Sequence, residues 1–381
     1  MWGRPVACGG LSGRLRVKLR PGISSKGYYN RNGMASHSPQ VIVIGAGIIG
    51  SSIAWRLAQA GAAVTLVDAG APGNEASWAG AGMLAPGGEI ESRTPWTELA
   101  LRSLAQYPGF VAELQAESGV TIDYQHCGAT EFAYTEAEWR QLLARRAAQQ
   151  ELGIRVEVAE PGSGAAGALS YPDDALVNPR DITRALATAC RRHNVRVCPN
   201  TAVTAIRLAV THVEVVTAAH TESAGVAVLA AGAWSSRIPV LRAAEAVRIP
   251  VSFPVRGHLL GYSLAPGSLG PILRHGHTYV MQRSNGFTIA GTSSEQVGFD
   301  RALDQAVIAD IRARATRLVP LLRVAPEPEA WLGFRPATED FEPRVTRLPD
   351  SNLWLAYGHY RNGILLSPIT AEMVSSQILS S

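Results

Sequence analysis

The sequence predicts an α/β Rossmann-like dinucleotide-binding domain that is discontinuous along the chain, joined to an α+β domain built on an antiparallel sheet. Three observations carry this prediction. Residues 41–68, VIVIGAGIIGSSIAWRLAQAGAAVTLVD, read as strand, tight turn, helix and strand. Val226 to Leu229 is a buried-strand run that ends in small residues and then a helix start. Residues 273–291 alternate as antiparallel strands do, with Asn285-Gly286 as a favoured hairpin turn.

Each residue type in the first stretch has a physical task. Gly45 allows the tight turn out of the strand, Gly47 lets a pyrophosphate approach the backbone, and Gly50 lets the helix pack close to the sheet. Ile48 and Ile49 open the helix, whose N-terminal N–H groups and dipole favour phosphate. Asp68, followed by Ala69, closes the second strand. Its carboxylate can accept both ribose hydroxyls of an adenosine and would repel a 2′-phosphate, which argues against NADP. The motif alone leaves FAD and NAD both open.

Composition narrows the function class. At 381 residues, 46% hydrophobic and 17% charged, the chain is ordinary globular protein, long enough for two domains or one elaborated one. No apolar run is long and uninterrupted enough for a transmembrane helix. The basic pI of 9.0 is local in origin. Residues 1–33 hold seven of the 35 basic side chains and none of the 31 acids, so the rest carries 28 basic against 31 acidic groups. That body gives no reason to expect a nucleic-acid partner. Cys8, Cys127, Cys190 and Cys198 are too few and too scattered for a disulfide scaffold or zinc site, so no metal is expected and a reducing, cytoplasmic setting is the default. Residues 1–39 are expected to be a disordered basic leader. A targeting peptide and a basic tail are alternatives to a true start at Met34, which is favoured because the first strand follows it so closely.

The rest of the chain supplies further candidates. After Asp68, AGAPGNEASWAGAGMLAP is either a flexible loop or backbone lying against a flat ligand, and composition does not choose. A helix is expected over 94–118, kinked or split at Pro108-Gly109, with strands at 120–124 and 130–134 and a helix over 136–153, capped by Thr135 and Glu138. Asn178-Pro179 starts another helix. Ala231, Gly232 and Trp234 form a second place where backbone meets ligand, or else a plain strand-to-helix connection. Residues 250–262 read as strand, turn, strand, with Arg256 either a surface charge or a cavity wall. His277 and Tyr279, two apart, are expected on one strand face. Tyr279 can be core or a carboxylate binder.

The Gly-x-Gly-x-x-Gly unit, Asp68, and the stretch ASWAGAGMLAP together resemble the D-amino acid oxidase superfamily, most closely its glycine oxidase group of thiamine biosynthesis. GFRPATED at 333–340 and GHYRNGILLSP at 358–368 resemble that group as well. The resemblance spans roughly 40–379. It implies non-covalent FAD, with a loop comprising Ser77, Ala79, Gly80, Gly82 and Met83 wrapping the flavin, Val203 meeting the adenine side, and His359, Tyr360, Arg361, Asn362, Gly363 and Ile364 at the flavin's pyrimidine end. It divides the chain into an FAD-binding domain (40–90, 170–240 and 328–381) and a substrate-binding domain (91–169 and 241–327). Arg335 and Tyr279 would hold a substrate carboxylate, with Arg361 and His277 beside it. A guanidinium fork suits a carboxylate; a structural Arg335–Asp340 pair is the other reading. Ser294 stands where the family commonly has an apolar residue, which bears on side-chain selectivity. The implied activity is oxidative deamination of glycine and of small amines such as sarcosine, D-alanine or D-proline, with dioxygen as acceptor, in a dimer or tetramer. A broader D-amino acid oxidase or dehydrogenase, an N-methylglycine oxidase, and a non-catalytic flavin-binding subunit are the alternatives.

Overall fold

Strand-long apolar runs such as Val41 to Ile44 need cover on both faces, because alternate side chains point to opposite sides. The computed structural model describes residues 40–381 apart from 89, 91, 163, 327 and 328. In it the Gln40–Ile44 strand pairs in parallel with Ala63–Val67 on one side and Val226–Leu229 on the other. Arg196–Cys198 and Leu353–Tyr357 extend this sheet in parallel, and Arg344–Arg347 closes one edge antiparallel, giving six strands. Val41 and Val43 face the helices Ile48–Gln59, Pro95–Ser118, Pro179–Arg192 and Gly363–Leu379. Ile42 and Ile44 face Ile206, Val213 and Val215 of a separate, five-stranded sheet. Both faces are therefore dry, which is why these strands read as unbroken apolar runs.

The other large sheet has eight strands, in the order Glu329–Ala337, Phe253–Ser263, Phe287–Gly291, Thr278–Gln282, Ile272–His275, Ala129–Ala133, Gly167–Tyr171 and Glu157–Ala159. One face, with Val280, Ala290, Leu260 and Tyr262, packs on the Gln305–Leu318 helix. The opposite face, with Leu259, Tyr279, Met281, Ile289 and Trp331, meets Ala79 and Ala81 of the glycine-rich loop. A small three-stranded sheet joins Met83–Leu84 to Ala175–Val177 and Tyr124–Gln125.

Local signals place most elements. Thr135 and Glu138 form the expected capping box on the Glu136–Glu151 helix, and Asn178 caps Pro179–Arg192. Three expectations are corrected. The helix Pro95–Ser118 is not split and continues through Pro108, because Tyr107, Phe110, Val111 and Leu114 are buried against the sheet's helical layer and outweigh the lost hydrogen bond. Of the 120–124 stretch, only Tyr124 is strand, as the first residue of Tyr124–Gln125. Residues 253–263 are one strand with no turn, since Phe253 to Gly261 stay in register with Ala337 to Glu329 along the whole length. The leader expected over residues 1–39 lies outside the described residues. Among the described residues, no helix is long and apolar enough to cross a membrane.

Candidate active site

A cavity of ≈650 Å³ is lined from both large sheets and from the loop at 69–85, within the range of about 300–1,000 Å³ for ligand and cofactor sites. Its first region is built by the opening motif. Gly45 turns the chain at φ +103°, and Gly50 touches the Gly45 carbonyl so closely that a Cβ there would lie 1.9 Å from its oxygen. Gly45, Gly47, Ile48 and Ile49 therefore bring the helix N-terminus to the cavity wall, while Gly50 stands behind it. Ser77 Oγ accepts the Ile48 N–H (2.9 Å), tying the glycine-rich loop to that helix end. Asp68 Oδ2 accepts the Ala46 N–H (2.7 Å) and Oδ1 the Gly70 N–H (2.8 Å), which fixes the carboxylate on the lining. Ala69 and Val203 line the same region.

The second region gathers the remaining candidates. Ala79, Gly80, Gly82 and Met83 come from the loop, Ala231, Gly232 and Trp234 from the end of the Val226–Leu229 strand, and His359 to Ile364 from the turn into the Gly363–Leu379 helix. Arg335 and Tyr279 reach the cavity from the strands Glu329–Ala337 and Thr278–Gln282. Burial pushes the Tyr279 hydroxyl up to about 12, against the opposing pull of Arg335, Arg361 and Arg283. It is thus a proton donor at neutral pH, in a cluster of guanidinium groups. Arg335 lies across Gly257 of the neighbouring strand: a Cβ there would come within 2.2 Å of its Nη1. Arg335 Nη1 donates to Ser293 O (2.9 Å) and Nη2 to Thr292 Oγ1 (2.7 Å). Asp340 is committed elsewhere, to Arg344 (2.7 Å) and the Glu342 N–H (3.1 Å). Of the two acids in the lining, Asp68 is held as above and Glu75 pairs with Arg301 (2.7 Å).

His277 is not part of this site. It is exposed in the turn before Thr278–Gln282 and does not line the cavity, because the strand starts one residue after it. Arg256 is a buried ion-pair member, bound to Glu295 and Asp300 (2.6 Å each), and not a cavity wall. Ser294 is exposed, 3.4 Å from the Tyr360 hydroxyl.

Several participants carried no sequence signal. Arg283, held down to about 10 by burial, donates to the Val177 and Ala81 carbonyls and so pins the glycine-rich loop to the sheet. Thr292 orients Arg335. Phe299 stacks on Trp234 (4.7 Å) and meets Phe334 edge-on (5.4 Å), which together with Arg301 ties the 295–304 segment to the cavity rim. These residues sit in loops or hairpins, where no periodicity marks a facing side chain.

His359 gives a pH-dependent handle on the same wall. Burial pulls its imidazole down to about 3 from the usual 6.5, and Nε2 meets Thr370 Oγ1 at 3.1 Å. Between those two values the unfolded chain binds a proton that the folded chain does not, so stability falls as pH drops below about 6.5. Going from about pH 7 to pH 5 should cost about 2 kcal/mol through this group. Urea unfolding of wild type and His359→Gln at the two pH values tests this; equal slopes would show that His359 does not carry it.

Comparison with known proteins agrees with this geometry. The family described as FAD dependent oxidoreductase (DAO) matches residues 40–377. Glycine oxidase of Bacillus licheniformis is 31% identical over 345 residues, covering 89% of this chain and 92% of the relative. The bifunctional protein ThiO/ThiG of Synechocystis sp. is 35% identical over 350 residues, covering 89% of this chain but 51% of that longer protein. The crystal structure of glycine oxidase from Geobacillus kaustophilus superposes with a TM-score of 0.84 at 29% identity, over 91% of this chain and 95% of that one. The residues present fit FAD. The helix N-terminus at Gly47 to Ile49 would meet the pyrophosphate, Asp68 the ribose, and the glycine-rich loop with the Gly358 to Ile364 turn would hold the flavin.

Proposed function

The chain belongs to the FAD dependent oxidoreductase family and is an FAD-dependent amino-acid oxidase, and from that premise we propose that it oxidises glycine and other small amines of the same type. The observation that carries this reading is the convergence of Arg335 and Tyr279 on one stretch of the cavity wall, close to Arg361, with both acids of the lining already engaged. Such a site favours a ligand bearing a carboxylate. Arg335, aligned by Thr292 and Ser293, would grip the carboxylate, and Tyr279 would donate its hydroxyl hydrogen to it. Leu259 and Phe334 add apolar wall that limits water around the bound amine. FAD, when bound, would supply the redox chemistry, taking a hydride from the amine carbon as the amine nitrogen gives up a proton, so that two electrons and two protons pass to dioxygen as hydrogen peroxide. Hydrolysis of the imine released from glycine then gives glyoxylate and ammonia. The chain's own part is placement and charge. Kinship with the glycine oxidase and ThiO/ThiG relatives supports a use of the imine, before hydrolysis, in thiazole synthesis for thiamine. On the same reading, residues 40–90, 170–240 and 328–381 serve the cofactor, and 91–169 and 241–327 the substrate.

The test is a panel of glycine, sarcosine, D-alanine, D-proline and bulkier D-amino acids on the purified yellow protein, reading peroxide in air and flavin bleaching without air. Glycine and sarcosine should bleach the flavin and give peroxide. Bleaching by a bulky D-amino acid with none by glycine would reject the assignment. Bleaching without peroxide would point to a dehydrogenase.

A further inference from the structure

Arg335 donates to two consecutive residues, Thr292 and Ser293, that have already left the sheet after the Phe287–Gly291 strand. What then fixes them is a buried polar network on the side of the sheet strand Phe253–Ser263. Glu295 is its centre. Its Oε1 accepts the Ser293 hydroxyl (2.6 Å) and His258 Nδ1 (2.9 Å), and its Oε2 accepts Arg256 Nη2 (2.6 Å). His258 is fully buried, and its Nε2 accepts the Asp304 N–H (3.2 Å), which places the ring proton on Nδ1, facing Glu295. Two backbone bonds, Arg256 N to Glu295 O (2.8 Å) and Glu295 N to Arg256 O (3.0 Å), close the bridge. Thr292 Oγ1 donates to the His258 carbonyl (3.0 Å), so it presents a lone pair to Arg335. The His258 N–H donates to Ser293 Oγ (3.0 Å). Each acceptor that aligns Arg335 is therefore anchored to the strand that carries Arg256 and His258.

We propose that Glu295 is a positioning residue for substrate binding: through Ser293 and the Arg256–His258 strand it holds the Thr292–Ser293 acceptors that aim the Arg335 guanidinium into the cavity. The inference rests on Arg335 as the carboxylate holder. A carboxylate in this place serves three donors of different kinds at once, which neither a hydroxyl nor an apolar residue can do. The Arg256 and His258 donors are buried while Glu295 is only partly exposed, so loss of this acceptor leaves buried donors that must rearrange. That rearrangement reaches residues 292 and 293 directly, because the Ser293 hydroxyl loses its acceptor and both residues lie just beyond the Phe287–Gly291 strand. A structural role alone would lower stability or flavin content. Positioning instead appears as weaker carboxylate binding with the chemistry kept.

The experiment uses the flavin-replete full chain and acetate as probe, at constant ionic strength, following the flavin absorption change. Glu295→Ala should weaken acetate binding and raise the glycine KM by about tenfold, the scale of one misaligned charge-assisted bond. Flavin content should be unchanged and kcat within about twofold. Ser293→Ala keeps the backbone acceptor and every ion pair, and should weaken acetate binding by a smaller factor in the same direction. Wild-type acetate affinity in a flavin-replete Glu295→Ala overturns the proposal. If that variant does not hold flavin, wild-type affinity in Ser293→Ala overturns it by the same criterion. An absence of any acetate effect on the wild-type protein removes the Arg335 reading and this inference together. Binding to wild type with both variants unchanged removes the inference alone.

Discussion

Arg335→Ala should keep its flavin and raise the glycine KM by about 10²–10³-fold. Removing one partner of a buried, hydrogen-bonded charge pair costs about 2–5 kcal/mol, and at about 1.4 kcal/mol per tenfold this range brackets the expected change. The flavin should stay because the groups that would hold its phosphates and ribose, at Gly47 to Ile49 and Asp68, belong to the six-stranded sheet and its helix. Arg335 belongs to the other sheet and stacks on Gly257. Arg335→Lys should recover only part of the loss. An ammonium is a point charge with three donors and no planar fork, so it cannot keep the Thr292 Oγ1 and Ser293 carbonyl bonds and also offer a carboxylate two parallel N–H groups. Steady-state kinetics beside a flavin-to-protein absorbance ratio decides the matter. An unchanged KM with full flavin content would remove Arg335 from substrate binding.

The cofactor side of this protein was legible because its chemistry is local. Gly45, Gly47, Gly50 and Asp68 recur at fixed spacing in one strand–helix–strand unit, where Gly50 packs on the Gly45 carbonyl and Asp68 accepts the Ala46 N–H, so spacing alone reports them. The same holds for the Thr135 and Asn178 caps, whose side chains bond to backbone two or three residues on. Gly257 shows where such reasoning stops. A glycine between Arg256 and His258 reads as a turn, yet here it lies within a continuous strand. It is bare because Arg335, far along the sequence, lies across it. That reason becomes visible only when Gly257 and Gly333 are seen as register partners. His277 fails for a related reason. The two-residue period joins His277 to Tyr279 only if both lie in the strand, and the strand begins at Thr278. Thr292, Ser293 and Glu295 were silent because they work from a segment with no periodicity, through partners brought together by the neighbouring strand. The resemblance to a known family located Arg335 and Tyr279, but not what holds Arg335 in place.

Gly50→Ala should yield a colourless, destabilised protein, through an effect that begins at a single carbonyl. The added Cβ would lie 1.9 Å from Gly45 O and 3.3 Å from the Ala230 side chain, so the Ile48–Gln59 helix must lift away from the turn. No side-chain rotation relieves this, since the obstructing atom is backbone. Overpacking of this kind costs about 1–3 kcal/mol, occasionally more. The same lift carries the N-terminal donors at Gly47 to Ile49 away from where the pyrophosphate would sit, and it pulls Ile48 N off Ser77 Oγ, which it now meets at 2.9 Å. The glycine-rich loop is thereby released from the helix, so flavin affinity falls at both ends of the cavity. Gly45→Ala meets the same region from the other side, with φ +103° and a Cβ 2.4 Å from Ala230 O. Lifting the helix relieves the Gly50 clash but neither the φ of +103° nor the Ala230–Ala231 clash at residue 45, so the double variant should lose more stability than either single variant. Thermal melts with flavin titration of the three proteins test the argument. A Gly50→Ala protein that remains yellow, with an unchanged melting temperature, would mean that the helix does not need that contact.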